Sequence, residues 1–131
     1  MMPEAKPKSE PARVLLVEDN PLLRMWIAEE LRDAGFSVIE AKSAGEASAI
    51  MVSGSQVDIV FSDVHMPGSM NGLDFARGVR QRYPAIPIII TSGNLGAAGT
   101  GGIARLLPKP YSAAQAIAMI SEAIHQPDDG P

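Results

Sequence analysis

The 131-residue chain predicts a doubly wound α/β fold, on two observations. Five short apolar runs, each closing on polar residues, alternate with stretches of helical spacing, and no internal repeat interrupts the series. Strands separated by helices make βαβ units, whose parallel sheet is covered on both faces. A chain of this length builds one hydrophobic core rather than two.

The elements follow in order. Residues 13–17, RVLLV, read as a buried strand that stops at Glu18-Asp19-Asn20-Pro21. Leu22, Leu23, Trp26, Ile27, Glu30 and Leu31 place a helix over 21–34, with Gly35 as its stop. Phe36–Ala41 alternates as a second strand, and Ser43 with Glu46 resembles a capping box opening a helix through Val52, broken by Gly54 and Ser55. Val57–Ser62 leads into Asp63, and 65–72, HMPGSMNG, is dense in turn formers. Leu73, Phe75, Ala76 and Val79 suit an amphipathic helix ending near Tyr83-Pro84, and Ile86–Thr91 is a fully apolar strand. Residues 93–102, GNLGAAGTGG, hold five glycines, so any helix there is short or irregular. Ile103–Leu107 is a brief last strand before Pro108-Lys109-Pro110, and Ser112 caps a final helix carrying Ala116, Ile117, Ile120 and Ile124.

Composition narrows the function. Apolar residues make up 46% and charged ones 20%, a soluble globular balance. The net charge of −4 opposes a surface built to neutralise phosphates, so no direct nucleic-acid partner is expected. Without cysteine there are no disulfides, thiolate metal sites or thiol nucleophiles, which is compatible with a cytoplasmic location. No segment approaches the roughly 18 apolar residues of a membrane span. Residues 1–12 carry three prolines and charges but no apolar core of a signal peptide, and read as a disordered extension. The domain is expected over 13–125, with QPDDGP at 126–131 as tail or linker.

Glu18, Asp19, Asp63, Thr91 and Lys109 each fall just after a predicted strand. In a doubly wound sheet, ligands bind beyond the carboxyl ends of the strands, so all five would meet in one shallow cleft. Three carboxylates in a small volume repel one another unless a cation compensates. Oxygen ligands without a His or Cys cluster favour Mg²⁺, which would also neutralise an incoming phosphoryl group. Lys109 and Thr91 then offer an ammonium and a hydroxyl to further oxygens, leaving Asp63 as a carboxylate nucleophile. Blander readings exist for each. Asp63 taken alone is a polar strand end, Glu18-Asp19 could cap the helix at Pro21 unless Asn20 does so, Thr91 could satisfy a strand-end backbone group, and Lys109 could be a solvated charge.

Glu18-Asp19, Asp63 with Met66-Pro67 and Asn71-Gly72, Thr91-Ser92 and Lys109-Pro110, in that order over residues 13–125, resemble the receiver domain of response regulators in two-component signalling. The resemblance implies a flavodoxin-like sheet of order 2-1-3-4-5 and a cis peptide before Pro110. It implies Mg²⁺ held by Asp19, Asp63 and the backbone carbonyl of His65, with Glu18 beside them. It further implies phosphorylation of Asp63 by a histidine kinase or histidine phosphotransfer protein, a switch that assists its own phosphotransfer and dephosphorylation, and an unnamed downstream protein target. A homodimer is left open.

Departures from the family pattern sharpen the expectation. Glu18 replaces the commoner aspartate, and the loop after Asp63 is one residue longer through Gly68-Ser69. Leu106 stands where most receivers carry a switching Tyr or Phe, so this chain resembles the subgroup without that aromatic switch. Phosphorylation is therefore expected to order residues 93–102 rather than turn a ring. His65 is expected to be exposed, His125 to meet the helix dipole, and Trp26, Phe36, Phe61 and Phe75 to be core or near-core. Met66 and Met70 fit loop packing better than partner binding. The rival readings are an unphosphorylated pseudo-receiver acting as an interaction module, a dehalogenase-type phosphatase, which would need an aspartate at 65, and a flavin binder, whose phosphate Glu18-Asp19 would repel.

Overall fold

The computed structural model describes residues 10–66, 68, 70–93 and 97–125. Expectations for 1–9, Pro67, Ser69, 94–96 and 126–131 lie outside them. Five strands, β1 (Arg13–Val17), β2 (Ser37–Ala41), β3 (Ile59–Asp63), β4 (Ile88–Ser92) and β5 (Arg105–Pro108), form one parallel sheet in the order β2-β1-β3-β4-β5. The expected order is the observed one. Helices α1 (Pro21–Asp33), α2 (Ala44–Val52), α3 (Gly72–Arg82) and α4 (Ala113–His125) cross over the sheet, and among the described residues between β4 and β5 a 3-10 turn spans Ala97–Thr100.

Strand residues point alternately to the two faces, and each face builds its own core. Leu15, Val17, Val60, Ile88 and Ile90 meet α2 and α3 through Ala47, Met51, Phe75 and Val79. Val14, Leu16, Ile59, Phe61 and Ile89 meet α1 and α4 through Ile27, Leu31, Ala116 and Ile120. The central strands are buried on both sides, which is why they read as unbroken apolar runs rather than alternating ones.

Local signals set the helix ends. Asn20 accepts from the N–H groups of Leu22 and Leu23 at 3.0 and 3.1 Å, with Pro21 as the first helical residue, so the cap falls to Asn20 and not to the acidic pair. Ser43 Oγ accepts from Glu46 N–H at 3.0 Å, but the Glu46 carboxylate reaches the N–H of Lys42 at 2.7 Å, one residue earlier than a standard capping box. Ser112 and Gln115 make the reciprocal box at 3.0 and 2.8 Å.

The sheet begins later than the apolar runs suggest: β3 starts at Ile59 rather than Val57, β4 at Ile88 rather than Ile86, and β5 at Arg105 rather than Ile103. Ile86 and Ile103 lend their side chains to the core while lying outside the ladder. Trp26 corrects a second expectation: at 38% exposure it is no core residue, and its ring lies 6.2 Å from that of Tyr111. Phe61 and Phe75 are buried and Phe36 packs at the core edge, as expected. Met66 packs against the core while Met70 is exposed, and His125 Nδ1 lies 2.8 Å from the Ser121 carbonyl in the last turn of α4.

Candidate functional site

The carboxyl ends of β1, β3, β4 and β5 lie side by side; β1 delivers two predicted residues and each of the others one. Glu18 follows β1, its N–H donating to the Ala41 carbonyl at the end of β2 at 3.0 Å. Its side chain turns inward, leaving the residue 4% exposed, and Oε2 accepts from the Asn20 N–H at 3.1 Å. Asp19 is exposed, whereas Asp63, the last residue of β3, is 6% exposed. One carboxylate oxygen from each of Glu18, Asp19 and Asp63 lies within 4.8 Å of the others.

Thr91, buried on β4, stands in register with Asp63, and the Val64 N–H donates to the Thr91 carbonyl at 3.1 Å. Lys109 is fastened to the same strand end by its N–H, 2.9 Å from the Ser92 carbonyl, and the Lys109-Pro110 peptide is cis. Its Nζ reaches Asp63 Oδ2 at 3.0 Å, while Asp63 Oδ1 accepts from the His65 N–H at 3.2 Å. The His65 side chain is exposed. The structure thus brings Glu18, Asp19, Asp63 and Lys109 together, and sets Thr91 beside Asp63 in the strand register.

The electrostatics favour a cation. Burial, chiefly, pushes the Glu18 carboxyl up from 4.5 to about 6; the Asn20 N–H opposes this, the Asp63 charge adds to it, and Lys109 offsets part. Burial also pushes the Tyr111 phenol up, helped by the charges of Glu18 and Asp63. Lys109 is one positive charge against three carboxyl groups. A hard divalent ion suits such an all-oxygen donor set.

Three supporting residues escaped the sequence reading. A Cβ on Gly72 would overlap the Asp63 carbonyl oxygen and stand 2.9 Å from Val64 Cα, so only glycine lets α3 start against the loop after β3. Asn71-Gly72 pointed to this place without revealing the reason. Tyr111 packs edge-on against Phe61 at 5.8 Å and, with Leu23, Trp26 and Pro110, lines an apolar pocket beside Lys109. Arg24 donates to the Glu18 carbonyl at 2.8 Å, a choice of partner that no motif announces.

A doubly wound sheet with an acidic cluster, a lysine and a threonine at its strand ends defines a class, and comparison with known proteins names it. Residues 14–121 match the family model of the response regulator receiver domain. The chain is 40% identical over 126 residues to sensor kinase CckA of Brucella abortus, covering 89% of this chain and 13% of that protein. To the DNA-binding transcriptional regulator NtrC of Salmonella typhimurium it is 32% identical over 116 residues, covering 85% and 24%. Among solved structures it resembles a response regulator receiver protein from Sinorhizobium medicae, with a TM-score of 0.83 at 30% identity, covering 89% and 97%. It also resembles the receiver domain of the hybrid histidine kinase CckA, with a TM-score of 0.74 at 28% identity over 86% and 99%. The chain belongs to the response regulator receiver domain family, and its function is that of a phosphorylation-dependent signalling switch. It spans less than a quarter of the length of the two curated relatives named. Among the described residues, no helix is long and apolar enough to cross a membrane.

Proposed function

We propose that Asp63 is the phosphoryl acceptor of this switch, with Mg²⁺ held by Glu18, Asp19, Asp63 and the backbone carbonyl of His65. The observation that carries this reading is the convergence of three carboxylates and Lys109 at the ends of β1, β3 and β5. Bound there, the cation supplies neutralisation of charge and polarisation of phosphoryl oxygens. The chain's own residues do the rest. The strand end and the His65 N–H orient the Asp63 carboxylate, one of whose oxygens forms the new bond to phosphorus. The bond from phosphorus to the donor nitrogen breaks, and its electron pair leaves with the donor imidazole, which takes up a proton. Lys109 and Thr91 donate to the oxygens of the transferred group.

The donor is a histidine kinase or phosphotransfer protein, in keeping with the likeness to sensor kinase CckA. The domain runs over 13–125, and the chain is a switch that assists its own phosphotransfer and dephosphorylation rather than an enzyme acting on free substrate. Leu106, half-buried and paired with Ile90, offers no ring to turn, so phosphorylation acts by ordering residues 93–102. Equal hydrogen-exchange protection of that segment with and without a phosphoryl mimic would remove this last element.

Incubation with Mg²⁺ and acetyl phosphate, followed by intact mass, tests the core of the proposal. A phosphate-sized gain that Asp63→Asn abolishes is expected. No gain in the wild type would favour the unphosphorylated interaction module.

A further inference from the structure

Arg24 lies at the end of the first turn of α1, outside the cluster of three carboxylates and Lys109, and its guanidinium joins two elements. Nη1 donates to the backbone carbonyl of Glu18 at 2.8 Å, and Nε faces Glu40 Oε1 on β2 at 3.3 Å. Glu40 is held from its other side by Arg32 at 3.1 Å. The Glu18 N–H donates to the Ala41 carbonyl, and its carboxylate Oε2 accepts from the Asn20 N–H. Arg24 therefore completes the restraint on the turn that carries Glu18 and Asp19.

We propose that Arg24 is a positioning residue for the cation site: by holding the Glu18 carbonyl it fixes the turn from which two of the three carboxylates face Asp63. The inference rests on the reading of that cluster as a cation site. The ion pair with half-exposed Glu40 adds little by itself. The charge-assisted bond to the carbonyl is the stronger of the two, and it acts on the backbone that sets the ligand spacing. Sign separates this role from a purely electrostatic one. Removing a positive charge beside three carboxylates strengthens divalent binding, whereas removing a brace weakens it.

The test is calorimetric titration of the full chain, stripped with chelator, with Mg²⁺ alone. Arg24→Met, which keeps the aliphatic stem, is expected to lower Mg²⁺ affinity about tenfold, the usual scale for residues that orient ligands. It should also shrink the rise in Tm that Mg²⁺ produces, whereas a merely structural role would lower Tm equally with and without the ion. Unchanged or tighter binding overturns the inference. Should Arg24→Met fail to fold, Arg24→Lys decides: an ammonium cannot span Glu40 and the Glu18 carbonyl as the planar fork does. An affinity about threefold or more below wild type then supports the role, and wild-type affinity overturns it. If the wild type itself binds no Mg²⁺, the cation reading falls; if it binds and the variants match it, only the role of Arg24 falls.

Discussion

Lys109 holds its ammonium 3.0 Å from Asp63 Oδ2 although the strand between them, β4, separates their backbones. The contact is possible because both residues leave their strands at the same end of the sheet, and because Lys109 N–H is tied to Ser92 of that middle strand. Asp63 is buried, so the pair is less screened than a surface ion pair.

Replacing Lys109 by Met should slow phosphorylation by acetyl phosphate about a hundredfold or more, the scale of one lost donor to a developing anion. The rate of mass gain at saturating Mg²⁺ measures this, and an unchanged rate would deny Lys109 its role.

Glu18 makes the metal-free protein sensitive to pH in a defined direction. Its carboxyl is raised from 4.5 to about 6 on folding, so below about 4.5 it is protonated in both states and stability is complete. As pH rises through that interval the unfolded chain ionises first, and stability falls by about 2 kcal/mol, the loss being complete above about 6. Denaturant unfolding of wild type and Glu18→Gln across the interval, without divalent ions, should show a difference that follows this curve. Mg²⁺ should restore more stability at neutral pH than in acid.

Gly72→Ala should destabilise the fold by about 2 kcal/mol or more, because the added carbon meets backbone rather than a yielding side chain. Phosphorylation of Asp63 should slow with it. Full stability by thermal unfolding would refute the close approach.

Arg80 donates to the Pro84 carbonyl at 3.0 Å and to that of Ile103 at 2.8 Å, clipping the end of α3 to the segment that enters β5. Arg80→Met should cost about 1 to 2 kcal/mol and raise hydrogen exchange over residues 99–104. Exchange unchanged there would show the clip to be idle.

The sheet order and the gathering of Glu18, Asp19, Asp63, Thr91 and Lys109 were legible because apolar runs ending in polar residues mark strand ends, and the fold puts strand ends together. Trp26 was not: Leu22, Leu23, Trp26, Ile27 and Leu31 all fit helical spacing, but the inward stripe of α1 holds Ile27, Ala28 and Leu31, and Leu22, Met25 and Trp26 face outward. Spacing says that a helix has a face, not which apolar residues fall beyond its edge. Arg24 and Arg80 were illegible for a different reason. Their hydrogen bonds go to backbone carbonyls, which every residue owns, so no residue type in the sequence singles them out.

The register of β1 beside β3 has a bearing on which ions this cleft would tolerate. Val17 lies opposite Ser62, so Asp19 and Asp63 extend from neighbouring strands whose separation is set by the ladder at about 4.8 Å. The strand backbones at the base of the cleft cannot move apart without breaking sheet hydrogen bonds. Ions of similar radius and octahedral habit, Mg²⁺ and Mn²⁺, should therefore substitute for each other. Ca²⁺, which seeks more oxygens at longer distances, should enter as a poor fit and slow the transfer.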